Sequence, residues 1–147
     1  MFITFAAPVL QLAGVVEPLP FLRTAGIQVA GIAIAAVGII GTAYSQLAMG
    51  DSWRVGVDEG ETTTLVRSGV FGIVRNPIYV GMFVLWLGTT LITPNDVAIA
   101  GYGLLVVSIE CQVRLVEEPY LKRAHGESYR GYGSTVGRFA PGVGLIR

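Results

Sequence analysis

From residue 24 to residue 50 the chain runs 27 residues without a charged side chain, and nothing else in the sequence constrains the fold as much. A helix rises about 1.5 Å per residue, so about 20 apolar residues cross the hydrocarbon core of a bilayer. A second uncharged stretch of 20 residues separates Arg75 from Asp96. The chain has 147 residues, of which 52% are hydrophobic and 14% charged, against about a quarter charged in soluble domains. Its mean hydropathy is +0.63. Together these mark an integral membrane protein.

The expected fold class is therefore all-α, with three or four transmembrane helices. Residues 1–49 form the N-terminal membrane helices. Residues 50–147 form a polar loop, a helical hairpin and a tail. Residues 2–16 are apolar but short and contain Pro8; with no basic region before them, they are not expected to be a cleaved signal peptide. Residues 17–20, Glu-Pro-Leu-Pro, read as a turn. Residues 25–49 are the cleanest transmembrane helix, and Gly26, Ala30, Gly31, Ala35, Gly38 and Gly41 offer small faces for close helix packing in lipid. Residues 78–92 and 97–118 pair as a hairpin around the turn at 93–96.

Nine of the ten Lys and Arg lie in the 50–75 loop or from Arg114 onward. The positive-inside rule places that side in the cytoplasm, with the Asp96 turn opposite. A net charge of zero gives no electrostatic case for nucleic acid as a partner. The single cysteine, Cys111, excludes a disulfide framework and any multi-cysteine metal site, so no metal is expected. Its place in an apolar run reads as a buried, inert thiol.

The end of the hairpin is unusual for a membrane helix. Glu110, Arg114 and Glu118 stand four apart, and Glu117 is seven from Glu110, so all would share one α-helical face. Ionisable groups at membrane depth are costly and usually face a cavity or one another. The plain alternative is an ion-paired helix end emerging into water. At the other end of the hairpin, Val74-Arg75-Asn76-Pro77-Ile78-Tyr79-Val80-Gly81 opens a helix. Pro77 suits its first turn, where a missing N–H costs nothing. Arg75 and Tyr79 are one turn apart, although Arg and Tyr also serve as plain headgroup anchors.

The order Leu65-Val66, Gly69-Val70-Phe71, Arg75-Asn76-Pro77-Ile78-Tyr79-Val80-Gly81, Glu117-Glu118-Pro119-Tyr120-Leu121, His125-Gly126-Glu127-Ser128-Tyr129 and Tyr132 resembles one family across residues 50–135. It is similar to the integral-membrane methyltransferases that include isoprenylcysteine carboxyl methyltransferases and phospholipid methyltransferases, whose pattern runs LVxxGxY, RHPxYxG, a hydrophobic hairpin, EExxL and FGxxY.

The resemblance implies an S-adenosylmethionine pocket formed by the loop, the hairpin's cytoplasmic end and the tail. Thr64, Leu65, Val66, Phe71, Asn76, Pro77, Tyr79 and Glu117 would bind that cofactor. Arg75, Arg114 and Glu118 would serve catalysis, with Arg114 the nearest counterpart of the family's substrate-side arginine. The implied partner is a lipophilic or lipidated substrate met in membrane lipid, and a homo-oligomer is possible. Asn76 replaces the family's histidine, Phe71 its tyrosine and His125 its phenylalanine. The N-terminal part is shorter than the family often shows, which leaves one helix absent or supplied by a partner chain.

Two other readings compete. One is an NADPH-dependent membrane reductase of the sterol reductase type, which needs a larger cofactor site and more spans. The other is a non-enzymatic membrane subunit, which gives no reason for the ordered motifs. No GxGxxG follows a strand, so a soluble Rossmann-type methyltransferase is excluded; Gly131-Tyr132-Gly133 reads as a turn. The residues do not name the acceptor.

Overall fold

A computed structural model describes residues 2–50 and 65–146; Thr64 and most of the 50–75 loop lie outside the described residues. Five α-helices make up the described chain: α1 (Phe2–Leu12), α2 (Ala25–Met49), α3 (Pro77–Ile92), α4 (Asp96–Gln112) and α5 (Glu118–Thr135). A 3-10 turn, Gly69–Gly72, precedes α3, and a π turn, Val113–Glu117, joins α4 to α5. Only isolated β-bridges occur among the described residues, so the all-α expectation holds. The chain divides into two compact units, one of Met1–Ile40 with Gly81–Ile109, the other of Gly41–Val80 with Glu110–Arg147.

Helix α2, whose part up to Ile40 belongs to the first unit, has 25 residues, long enough to cross a bilayer with some tilt. By contrast, α1 has 11, about 16 Å of helix, too short to span alone. Within α2, Gly31, Ala35 and Gly38 are buried at intervals of four and three, while Val29, Ile32, Val37, Ile39 and Ile40 are exposed. An apolar exterior over a small-residue seam is what a helix needs when lipid is its solvent, because packing there relies on close backbone approach.

The seam meets α3. A Cβ added at Gly88 would lie 2.6 Å from the Gly31 carbonyl oxygen and 2.8 Å from Ala35 Cα, and one at Gly38 would lie 2.8 Å from the Gly81 carbonyl oxygen. Gly26 and Gly41 face open space, so only part of the expected small-residue set makes the contact. At the turn before α4, the fully buried Asn95 caps the helix: its Oδ1 accepts from the Ala98 N–H at 2.8 Å. Its amide donates to Gln11 Oε1 at 2.8 Å. The Leu19 N–H bonds the Pro94 carbonyl at 2.8 Å.

Three expectations need correction. Cys111 is exposed, not buried. The buried positions of α4 are Ala98, Gly101, Leu105 and Ile109; two residues past Ile109 a side chain has turned about 200° and points away from that face. Gly131-Tyr132-Gly133 is not a turn but part of α5, which carries the tail as helix to Thr135. Finally, Glu110, Arg114, Glu117 and Glu118 do not all share one face: Glu110 pairs with Arg114, and Glu110 and Glu118 both approach Arg138, but Glu117 reaches Tyr79 instead. Across the π turn the Glu118 N–H bonds the Val113 carbonyl, five residues back, and the extra residue per turn rotates everything beyond it.

Candidate active site

The second unit gathers the motif residues. Ser68 is extended, Gly69 takes φ 61°, and the 3-10 turn that follows buries Phe71. The Tyr132 hydroxyl donates to the Phe71 carbonyl at 2.5 Å. Burial pushes the Tyr132 hydroxyl up to about 12, so it remains a donor at any ordinary pH. Pro77 then begins α3, where its fixed φ suits the first helical turn.

Just before α3, Val74 forms a parallel bridge with Gly137, and the N–H groups of Arg75 and Asn76 bond the carbonyls of Gly137 and Arg138 at 2.8 and 3.1 Å. Residues 136–146 thus run as a strap beside the entry to α3. The strap requires glycine at 137, where an added Cβ would lie 2.9 Å from the Gly142 and Val143 nitrogens.

Arg75 is the centre of this arrangement. Its Nη1 donates to the carbonyls of Gly133 and Val136 at 2.9 and 2.6 Å. Its Nη2 donates to Glu118 Oε1 at 2.7 Å and to the Gly144 carbonyl at 2.8 Å. Its Nε is buried with no partner among the described residues. Arg138 takes both oxygens of the same carboxylate, Nε to Oε1 at 2.7 Å and Nη2 to Oε2 at 3.0 Å. Burial by itself would raise the Glu118 carboxyl, but hydrogen bonds from Arg138 and Arg75 outweigh it and hold the group below the usual carboxylate range.

Glu117, one residue earlier, has a different partner. The Tyr79 hydroxyl donates to its Oε1, so two adjacent glutamates each reach one of the two residues that stand a turn apart at the start of α3. Burial raises the Glu117 carboxyl, against the lowering effect of hydrogen bonds from Tyr79 and Gln112. Unlike Glu118, it carries no cation among its described partners. A half-buried carboxylate of this kind accepts hydrogen bonds only.

The remaining expected residues fall elsewhere. Asn76 Nδ2 donates to the Arg138 carbonyl at 3.2 Å. Leu65 and Val66 are partly exposed just before the 3-10 turn. Arg114 lies on the outside, 58% exposed, bonded to Glu110 at 2.5 Å. His125 precedes the kink at Gly126 (φ 53°, ψ −128°), and its Nε2 is buried without a partner among the described residues. Sequence reasoning missed Arg138 altogether, counting it only as a tail charge. Its place nine residues beyond Tyr129, between Gly137 and Phe139, carried no spacing signal.

The chain is 35% identical over 79 residues to the protein-S-isoprenylcysteine O-methyltransferase of Dictyostelium discoideum, covering 54% of this chain and 33% of that protein. It is 36% identical over 72 residues to the protein of the same name from Schizosaccharomyces pombe, covering 49% and 30%. The chain thus spans about a third of the length of these curated relatives. Its fold matches the solved structure of the eukaryotic intramembrane Ras methyltransferase ICMT (isoprenylcysteine carboxyl methyltransferase) with a TM-score of 0.75. That match has 23% identity and covers 98% of this chain and 51% of that one. The phospholipid methyltransferase family model matches residues 27–128, a stretch that takes in all but the first two residues of α2, together with α3, α4 and both glutamates of the site, and the chain belongs to that family.

Proposed function

We propose that residues 50–147 carry the core of a membrane-embedded S-adenosylmethionine-dependent methyltransferase whose acceptor is lipophilic, of the S-isoprenylcysteine class. The observation that carries this reading is the pairing of the two motif segments, Arg75 with Glu118 and Tyr79 with Glu117, in one unit. The names of the relatives support the acceptor class.

The residues suit the donor chemically. Its hydroxyl and ammonium groups need acceptors, and Glu117, held by the Tyr79 hydroxyl, is an acceptor with no cation among its described partners. Asn76 and the backbone of Leu65 and Val66 add neutral hydrogen-bonding groups, and Phe71 and Pro77 add apolar ones. Thr64 belongs to the same segment. When bound, S-adenosylmethionine supplies an electrophilic methyl group on a sulfonium. Positioning of reactants can supply much of the rate of such a displacement. A carboxylate acceptor attacks without losing a proton, so Tyr79 and Glu117 bind and orient and transfer none.

Arg75 and Glu118 take a positioning role here, because the Nη1 and Nη2 donors of Arg75 are directed at carbonyls and Glu118, away from solvent. Arg114, exposed at the end of the apolar run, remains the candidate for meeting an acceptor carboxylate. On this reading the Lys- and Arg-rich segments face the cytoplasm. Maleimide labelling of Arg130→Cys in a Cys111→Ser background, in inverted but not in right-side-out vesicles, is the expected result.

The deciding experiment incubates purified protein with methyl-labelled S-adenosylmethionine and either an N-acylated S-farnesylcysteine or phosphatidylethanolamine. A base-labile methyl ester on the prenylated cysteine is the expected product. Label found only on the headgroup amine would overturn the acceptor class, and binding of NADPH with none of S-adenosylmethionine would overturn the enzyme class.

A further inference from the structure

The geometry points to Arg138 as a positioning residue that fixes the entry of α3 against the entry of α5, and so sets the reach from Tyr79 to Glu117. The inference rests on the reading of the site just given, but it starts from contacts that no motif contains.

Arg138 is hydrogen-bonded through its N–H, its carbonyl, Nε and Nη2, and makes a longer ion-pair contact through Nη1. Its side chain, 12% exposed, grips Glu118 with two prongs, at 2.7 and 3.0 Å. Its carbonyl accepts two hydrogen bonds from Asn76, one from the backbone N–H at 3.1 Å and one from Nδ2 at 3.2 Å. Its own N–H closes the strap on the Val143 carbonyl at 2.7 Å. Nη1 stands 3.9 Å from Glu110 Oε2, which also holds Arg114. One residue therefore links the start of α3, the start of α5 and the end of α4.

What makes these contacts more than local support is where they land. Asn76 lies three residues before Tyr79, within one helical turn, and Glu118 lies one residue after Glu117. A shift of Asn76 carries Tyr79 with it, and a shift of Glu118 carries Glu117. Both ends of the Tyr79–Glu117 bond are thus referred to a single guanidinium and its own carbonyl. The fork geometry matters, because a planar guanidinium fixes the orientation of a carboxylate as well as its distance, and an ammonium fixes only distance.

The test uses the full chain purified in detergent, with Arg138→Met and Arg138→Lys compared to wild type. Two readouts are taken: amide hydrogen exchange at Arg75 and Asn76, and the KM for S-adenosylmethionine set against kcat and the acceptor KM. Arg138→Met is expected to quicken exchange at both amides and to raise the donor KM by about tenfold, the loss of one charge-assisted bond, with the acceptor KM unchanged. Arg138→Lys is expected to recover most of the exchange protection but only part of the donor KM. Quickened exchange confined to residues 139–146, with the donor KM unchanged, would overturn the proposal. If Arg138→Met does not fold, Arg138→Lys decides alone, and a wild-type donor KM in it counts against the role. A wild-type protein that transfers no methyl group sinks the functional reading only; the exchange arm still decides whether Arg138 positions the two helix entries.

Discussion

Arg75 and Glu118 are 43 residues apart in the sequence and 2.7 Å apart in space, with side chains 2% and 7% exposed. A buried pair of this kind stabilises little relative to an apolar replacement of both partners, but removal of one leaves the other, and its hydrogen-bonding neighbours, uncompensated. Arg75→Met leaves the carbonyls of Val136 and Gly144 without their arginine donor as well, while the Gly133 carbonyl keeps the Ile146 N–H. The expected cost is about 3–5 kcal/mol, measured as thermal unfolding in detergent micelles. A loss within the scatter of surface substitutions, about 0.5 kcal/mol, would contradict the structure's account of this residue.

Glu117→Gln and Asn76→Ala are each expected to weaken S-adenosylmethionine binding by about 10- to 100-fold, the cost of a hydrogen bond to a charged group or of its support. Because both changes damage one site, the double variant should lose less than the sum of the singles. Calorimetry on folded, monodisperse protein measures all three. Additive losses, or wild-type affinity in either single variant, would remove both residues from a shared pocket.

The two glutamates should also separate on acidification. Glu118 is held below the ordinary carboxylate value of 4.5, so the stability it contributes is fully present above 4.5 and is lost as pH falls through its lower folded value. Glu117 is raised above 4.5, so its ionised, accepting form is lost at a higher pH. Donor affinity should therefore fall before stability does as pH is lowered. Glu117→Gln should flatten the first transition, and Glu118→Gln the second. Coincident transitions in affinity and unfolding would contradict the order.

The seam between α2 and α3 offers a steric test. Gly88→Ala places a methyl group 2.6 Å from the Gly31 carbonyl oxygen, and overpacking of this kind costs about 1–3 kcal/mol. Gly26→Ala adds a methyl group to open space and removes a poor helix former, so it should be neutral or stabilising by up to about 1 kcal/mol. Thermal unfolding of the two variants side by side checks the contrast.

Helix positions were legible where the physics is local. Charge gaps and a bilayer's thickness located α2 at Ala25–Met49, and Pro77 marked the start of α3 because proline suits a first turn. The π turn was not legible. The spacing of Glu110, Arg114 and Glu118 fits an α-helix well, and one extra residue in a turn leaves no mark in composition. The company kept by Arg75 was hidden for another reason: three of its four acceptors are backbone carbonyls, which every residue possesses. Arg138 was missed on the same grounds, since half of what it does is done by its own main chain.

The contacts of Arg75 also impose an order on biosynthesis. Its acceptors lie 43, 58, 61 and 69 residues downstream. At about 5–20 residues per second, a nascent chain carries this guanidinium for several seconds before Gly144 is made. During that interval α3 is already available to the insertion machinery, with an unpaired cation at its threshold. That cation is free to favour headgroups and water, a temporary anchor for the helix it later locks. A nonsense codon between the end of α4 and Glu118 would then release a protein with α2, α3 and α4 intact and its arginine still waiting at the interface. Such truncations should insert normally yet be cleared by quality control.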